Sequence, residues 1–334
     1  MEYRFLGGRT GLRVSEIALG TGRLGTGADS GPDEASSVLQ AYAEAGGNFV
    51  DVASAYQFGR AEEVVGEFLA RAGRDNFVVA SKFGRTASRE PSKASVGNHR
   101  KAMLAEVEGS LRRLGTDRID LYFAHLDDGI TPVDELMRGF ENLVDAGKIV
   151  HVGLSNFPAW RAASAAMLAD LRGWAPVAVL QFQYNLLERT ADREHLPLAA
   201  ARGLGLMAWA PLAGGRLGKP RQEGQAPPSG PGRVSGMTDD SVLEALHEVA
   251  AELGSEPATV ALAWLIRKGP TPIIGPRTRA QLAANLAAAE VRLPDPLFHR
   301  LDEASRPHLG YPYDLLAQVR EGMGLSSGRS GLVL

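Results

Sequence analysis

Asn48-Phe49-Val50-Asp51-Val52-Ala53-Ser54-Ala55-Tyr56 decides how the rest of this chain is read. A short apolar run, Phe49-Val50, ends in an acid, Asp51, and Tyr56 follows five residues later. A buried strand that ends in a carboxylate delivers that charge to the edge of a sheet, beside a loop. Active sites of parallel α/β proteins lie at that edge. The pattern recurs along the chain. Phe77-Val78-Val79-Ala80 ends in Ser81-Lys82, Ile119 to Ala124 ends in His125, Val152-Gly153-Leu154 ends in Ser155-Asn156, and Ala178-Val179-Leu180 ends in Gln181.

Working outward, residues 3–14 alternate around Gly7-Gly8 and Thr10-Gly11 and read as a β-hairpin. Strands are expected at 16–20, 48–53, 77–82, 120–125, 149–155, 177–183, 204–209 and 271–274. Helices are expected at 33–45, 62–72, 100–114, 132–146, 158–170, 193–201, 240–253, 257–268 and 279–289, several with glycine just past the end. A basic, polar loop covers 85–97. Residues 214–240 are rich in Gly, Pro and Ser, and a structureless stretch of that length is a functional or a disordered loop. From Pro294 onward the chain reads as an added C-terminal segment. Eight strands alternate with helices, and their runs are apolar rather than alternating, as in strands buried on both faces. The expected fold is α/β: a (β/α)8 TIM barrel with an N-terminal β-hairpin and a C-terminal extension, one domain over 1–334.

Composition agrees. The 334 residues are 44 % hydrophobic, enough for a sizeable core. A net charge of -3 gives no nucleic-acid or anionic-membrane surface. With no cysteine there is no disulfide, thiolate metal site or cysteine nucleophile. The opening residues MEYRFLGGRTG lack the apolar core of a signal peptide, and no window approaches the roughly 20 apolar residues of a membrane helix. The expectation is a cytoplasmic protein with no nucleic-acid or membrane partner; the sequence leaves oligomeric state open.

One motif points elsewhere. Gly20-Thr21-Gly22-Arg23-Leu24-Gly25 matches the dinucleotide-binding GxGxxG after a strand, and Asp51 ends the next strand as a ribose-binding acid would. The Rossmann glycines must open directly into a helix whose N-terminus holds the pyrophosphate. Here residues 26–32 intervene before any helix. A glycine-rich βα loop is the better reading.

The strand ends carry the chemistry. A tyrosine hydroxyl is a poor acid at neutral pH, with a pKa of about 10. A neighbouring lysine ammonium favours the phenolate and lowers that value. A carboxylate beside the lysine keeps it charged and in place, and a histidine orients a substrate oxygen or relays a proton. Asp51, Tyr56, Lys82 and His125 supply those groups at three consecutive strand ends and the loop between two of them. Such a set donates a proton to a carbonyl oxygen while hydride arrives at carbon, and it needs no bound metal. Singly, each residue has a plainer explanation: a capping acid, a packing tyrosine, a solvated lysine, and a histidine that Asp127 and Asp128 accompany as hydrogen-bonded loop residues. Their shared position makes the difference.

The resemblance becomes specific in ordered motifs. LGGRTGLRVSEIALGTG, DVASAYQFGRAEEVVG, SLRRLGTDRIDLYFAHLDD, GKIVHVGLSNF and LQFQYNLLER resemble successive stretches of the aldo-keto reductase family, and the likeness covers nearly the whole length. The resemblance implies NADPH/NADP+ as cofactor and a small-molecule carbonyl substrate. It implies Tyr56 as general acid in reduction, Lys82 paired with Asp51 lowering the tyrosine's pKa, and His125 positioning the carbonyl. Ser155, Asn156 and Gln181 would bind the nicotinamide carboxamide, and Trp209 would stack on the ring. Ala210, Pro211, Leu212, Ala213 and Gly214 resemble the loop over the pyrophosphate, with Lys219 a phosphate contact, and Gly20, Thr21 and Gly22 would lie along the cofactor. Gly275, Arg277, Arg279, Gln281 and Asn285 resemble the adenosine-phosphate end, where a guanidinium fork suits a 2′-phosphate. Departures from the family pattern are Val52, Gln57 in place of the usual glycine after the tyrosine, Ala210 and Ala284. The resemblance also extends to NADPH-binding potassium-channel β subunits and to dehydrogenases that work mainly on an alcohol or sugar.

Overall fold

A computed structural model describes residues 1–26, 31–218 and 240–324. Strands β1 (Tyr3–Phe5) and β2 (Arg13–Ser15) form the antiparallel hairpin. Then β3 (Ala18–Gly20), β4 (Phe49–Asp51), β5 (Val78–Phe83), β6 (Ile119–Ala124), β7 (Ile149–Ser155), β8 (Val177–Gln183), β9 (Gly205–Trp209) and β10 (Thr271–Ile274) follow in order around a closed barrel. Every neighbour pair in it is parallel, and β10 returns to β3. Helices α1 (Pro32–Glu44), α2 (Arg60–Ala72), α3 (Arg100–Leu114), α4 (Val133–Asp145), α5 (Ala159–Arg172) and α6 (Ala191–Arg202) each connect one strand to the next. Helices α7 (Asp240–Glu252) and α8 (Pro257–Lys268) both precede β10, and α9 (Arg279–Leu286) follows it. This is the expected (β/α)8 barrel, and the glycine motif lies in its first βα loop.

Parity explains the apolar runs. Successive strand residues face opposite ways. Val50, Val79, Tyr122, Leu154, Leu180 and Ala208 pack outward among the helices. Phe49, Val78, Ala80, Leu121, Phe123, Met207 and Ile273 pack inward. Both directions are dry toward the middle of the barrel, so apart from polar residues near strand starts, such as Asp120 in β6 and His151 in β7, the runs stay apolar until the strands approach their C-terminal edge. The inner cluster also contains Leu6 and Val14 of the hairpin. Asn48, just before β4, accepts the Ser15 N–H at 2.7 Å and donates to the Arg13 carbonyl at 3.1 Å. At the start of β9, a Cβ on Gly7 would lie 2.3 Å from the Gly205 nitrogen. The hairpin therefore plugs the N-terminal mouth, and the chemistry is left to the other end.

The inner packing makes one glycine critical. A Cβ on Gly153 would lie 2.3 Å from the Phe123 ring, which fills the barrel centre. Gly153→Ala should therefore destabilise the fold by about 1–3 kcal/mol, the usual cost of overpacking. A urea unfolding midpoint reads it, and Phe123→Leu in the same chain should recover part of the loss.

Two regions add detail to the expectation. The expected loop at 214–240 opens in a kinked 3-10 turn, Ala213–Gly218, with Gly214 and Gly215 outside helical backbone, and 219–239 lie outside the described residues. The C-terminal segment forms two helices, α10 (Asp295–Ala304) and α11 (Tyr313–Gly322). Leu297 and Leu301 of α10 join the outer core. The buried Arg189 is its anchor, donating to Ser305 Oγ at 2.6 Å and pairing with Asp302 at 3.1 Å. Tyr313 donates to Glu194 at 2.9 Å and lies under the Arg193 guanidinium, so it ties the tail to α6. Among the described residues no single helix is long and apolar enough to cross a membrane.

Candidate active site

The same parity that hides apolar residues aims the polar ones. Asp51 stands two residues after the inward Phe49, Lys82 two after Ala80, His125 two after Phe123, and Trp209 two after Met207. Ser155 and Gln181 pair across β7 and β8 in register. All point into the barrel's C-terminal mouth. Tyr56 arrives from a 3-10 turn, Tyr56–Gly59, that connects β4 to α2. Gln57, Phe58 and Gly59 there have φ of 52°, 57° and 92°. Two non-glycine residues in the left-handed region cost on the order of 1–3 kcal/mol each. This accounts for the glycine expected after the tyrosine. Gln57 offsets its strain by donating to the Leu24 carbonyl at 2.7 Å.

Lys82 and Asp51 are buried. The ammonium has three donors and uses each: Asp51 Oδ2 at 2.6 Å, the Val52 carbonyl at 3.1 Å and Tyr56 Oη at 3.2 Å. The second Asp51 oxygen accepts from Gln181 Nε2 at 2.8 Å. The Asp51 carbonyl accepts from both the N–H and the hydroxyl of Thr21 at 3.0 Å, so the first βα loop is locked to this strand end. The imidazole of His125 meets the Tyr56 ring edge-on, with centroids 5.6 Å apart, and its Nδ1 is buried without a partner. Asn156 donates to Ser155 Oγ and to the His125 carbonyl, both at 2.9 Å, and accepts from Trp209 Nε1 at 2.9 Å.

Electrostatics corrects one expectation. Lys82 does pull the Tyr56 hydroxyl downward, but burial outweighs it, and the phenol stands above its ordinary value. Burial pushes the Lys82 ammonium down, yet Asp51 and Tyr56 together more than restore it, so lysine stays charged. Burial first, then the positive charges of Lys82 and Arg85, hold His125 well below its usual range. At neutral pH the site is therefore a phenol, an ammonium and a neutral imidazole. Arg85 is the residue that sequence reasoning missed: it lay unremarked in the basic loop, two positions past β5, yet its charge reaches both Tyr56 and His125. Asp127 and Asp128 serve their loop. Asp127 pairs with Arg161 at 2.9 Å. Burial alone would raise Asp128, but the Thr131 hydroxyl and the N–H groups of Asn98, Thr131 and Ile130 hold it down to about 2.

The model of the aldo/keto reductase family matches residues 16–306. The chain belongs to this family. It is 37 % identical to the uncharacterized oxidoreductase YrpG of Bacillus subtilis, over 91 % of this chain and 95 % of the relative. It is 34 % identical to an aryl-alcohol dehydrogenase [NADP(+)] of Phanerodontia chrysosporium, over 93 % of this chain and 88 % of the relative. It is 33 % identical to norsolorinic acid reductase A of Aspergillus parasiticus, over 95 % of this chain and 84 % of the relative. The protein is thus an oxidoreductase, and interconversion of carbonyl and alcohol is its general chemistry.

In this aldo/keto reductase the residues expected along a cofactor fall into two groups. Around Asp51, Tyr56, Lys82 and His125 lie Gly20 at the end of β3, Thr21, Gly22 facing the Tyr56 ring, Ser155, Asn156, Gln181 and Trp209. Beyond β9 come Ala210, Pro211, Leu212, Ala213 and Gly214. Asn156, Ala210 and Ala213 have φ of 53°, 50° and 48°, three further left-handed non-glycine residues at the mouth. The Ala210 carbonyl accepts from Asn185 Nδ2 and from Ala213 N–H, both at 2.9 Å, which holds that turn. Gly275, Arg277, Arg279, Gln281 and Asn285 cluster after β10 and along α9. Gln281 accepts the Arg277 N–H at 2.8 Å, and Glu34 from α1 accepts the Arg279 N–H at 2.9 Å. The Glu34 contact had no signal in the sequence. Lys219 lies outside the described residues.

Proposed function

We propose that this enzyme reduces an aldehyde or ketone to an alcohol with NADPH, and that Tyr56 supplies the proton. The observation that carries the proposal is the hydrogen-bonded line from Asp51 through Lys82 to Tyr56, with a neutral His125 beside it. The residues present fit a nicotinamide. Ser155, Asn156 and Gln181 offer amide-complementary donors and acceptors next to the Asp51 carboxylate, and Trp209 presents a half-buried indole beside them. Bound NADPH supplies the hydride. The chain's own residues do the rest. Burial keeps Tyr56 protonated, so it is an acid at neutral pH, and Lys82 stabilises the phenolate left after transfer. The uncharged His125 ring donates a hydrogen bond to the substrate oxygen without competing for the proton. The same groups serve alcohol oxidation in reverse, with Tyr56 as the base.

Preference for NADPH is supported by the two exposed arginines at the start of α9 and by the relative named for NADP(+). A guanidinium fork matches a phosphate better than a ribose hydroxyl. Titration of tryptophan fluorescence with each reduced cofactor tests this. NADPH should bind at least about tenfold tighter than NADH, a difference of about 1.4 kcal/mol, and Arg277→Ala with Arg279→Ala should remove most of the gap. Tighter NADH binding would reverse the cofactor assignment. Binding of neither would end the reductase reading.

A further inference from the structure

We propose that Glu62 and Arg113, on the outer side of the barrel, are positioning residues that fix the Tyr56 hydroxyl against the Lys82 ammonium. The proposal rests on the reductase reading above. Glu62 belongs to the first turn of α2, the helix that leaves the Tyr56 turn, and it is fully buried. One carboxylate oxygen accepts from Ser81 Oγ at 2.6 Å; the other accepts from Arg113 Nε at 2.7 Å and pairs with the Arg113 Nη2 charge at the same distance. Ser81 is the outward residue immediately before the inward Lys82 in β5, and Arg113 stands in the last turn of α3. A single carboxylate thus joins the strand that carries Lys82, the helix that follows Tyr56, and the helix packed beside both.

Arg113 also holds the strained turn itself. A Cβ on Gly59 would lie 2.7 Å from Arg113 Cδ and 2.9 Å from its Nε, so the arginine stem lies directly on the turn. With Gln57, Phe58 and Gly59 all in the left-handed region, the turn is strained even though the Arg60 N–H closes it onto the Tyr56 and Gln57 carbonyls, and contacts from outside help to hold its shape. An acid buried against an arginine adds little net stability, because desolvation offsets the attraction. Charge-assisted hydrogen bonds are short and directional, so the Ser81 and Arg113 donors, one on each carboxylate oxygen, fix where the strand and the two helices sit relative to one another. The arrangement suits a geometric role better than a purely stabilising one.

The experiment uses the full-length protein, with p-nitrobenzaldehyde as carbonyl and the matching benzyl alcohol for the reverse reaction. Glu62→Gln keeps size and an acceptor for Ser81 but loses the charge that holds Arg113; Ser81→Ala removes the other arm and is the variant that decides if the first does not fold. The expected kcat for reduction falls about 10- to 100-fold, as for a reacting group displaced by a fraction of an ångström to one ångström. KM and NADPH affinity should stay within about twofold of the parent, because neither variant touches the mouth. In oxidation the rise of rate with pH should move upward, since a tyrosine drawn away from Lys82 holds its proton more tightly. Ser81→Thr, which keeps the hydroxyl, should restore kcat, and Arg60→Ala on the exposed face of α2 should leave it unchanged. Unchanged kcat in both disabling variants overturns the proposal. So does a joint loss of kcat and NADPH affinity with the pH limb unmoved, which marks a general loosening. The reductase reading is judged separately, by turnover of the parent and its loss in Tyr56→Phe.

Discussion

Tyr56→Phe is expected to lower kcat for carbonyl reduction by about 10²- to 10⁴-fold, the range that a positioned general acid contributes. Only one oxygen is removed, and the ring keeps its edge-on contact with His125. NADPH affinity should therefore stay within about twofold of the parent by fluorescence titration, because the proposed cofactor contacts do not use the hydroxyl. The pH dependence gives a second reading. The Tyr56 hydroxyl stands above its ordinary value near 10 because burial outweighs the pull of Lys82. The acid form is thus fully present at neutral pH, and reduction should be flat there and fall only on the strongly alkaline side. His125 is held well below its usual range, so it contributes no limb near neutrality. A sharp inflection between pH 6 and 7 would mean that the imidazole, not the phenol, carries the proton (~6.5 is its unperturbed value). Retained turnover in Tyr56→Phe would defeat the mechanism outright.

Lys82→Met is expected to be as damaging to turnover and far more damaging to stability. Lys82 is fully buried and Asp51 nearly so, and their ion pair measures 2.6 Å. Removing the ammonium leaves the carboxylate facing a dry barrel with Gln181 as its remaining side-chain donor. Breaking a buried pair from one side costs about 3–5 kcal/mol, whereas replacing both partners costs much less. The double variant Lys82→Met with Asp51→Asn should therefore recover most of the lost urea midpoint while remaining inactive. Recovery of stability without activity would separate the two roles of the pair. If the double variant is no more stable than the single one, desolvation is not what the pair offsets. In oxidation, any residual activity of Lys82→Met should appear only at higher pH, because the charge that draws the phenol downward has gone.

The candidate site was legible in so far as its parts end strands. Asp51, Lys82, His125, Ser155 and Gln181 each follow an apolar run, and that pattern survives in one dimension because both faces of a barrel strand are dry. Gln57 was visible as a departure from the family pattern, but its consequence was not. Only the φ of 52° shows that a side chain there sits in strained backbone and needs the Leu24 carbonyl to hold it. In the sequence the tail looks like an appendage, because its anchor, Arg189, lies over a hundred residues upstream of Ser305, and such a contact leaves no local periodicity.

The sequence by itself determined the barrel, the strand ends that face its mouth, and the chemical character of the groups placed there. Those depend on short-range rules: strand parity, glycine-terminated helices and the identity of single residues. Tertiary structure alone decided the rest. It set the protonation of the site, since a lysine charge that lowers a phenol competes with a burial known only once the barrel closes. It brought Arg85 within reach of Tyr56 and His125, and it drew Glu62, Ser81 and Arg113 together from a helix, a strand and another helix. Burial and long-range distance arise from how elements pack, and a linear chain carries neither.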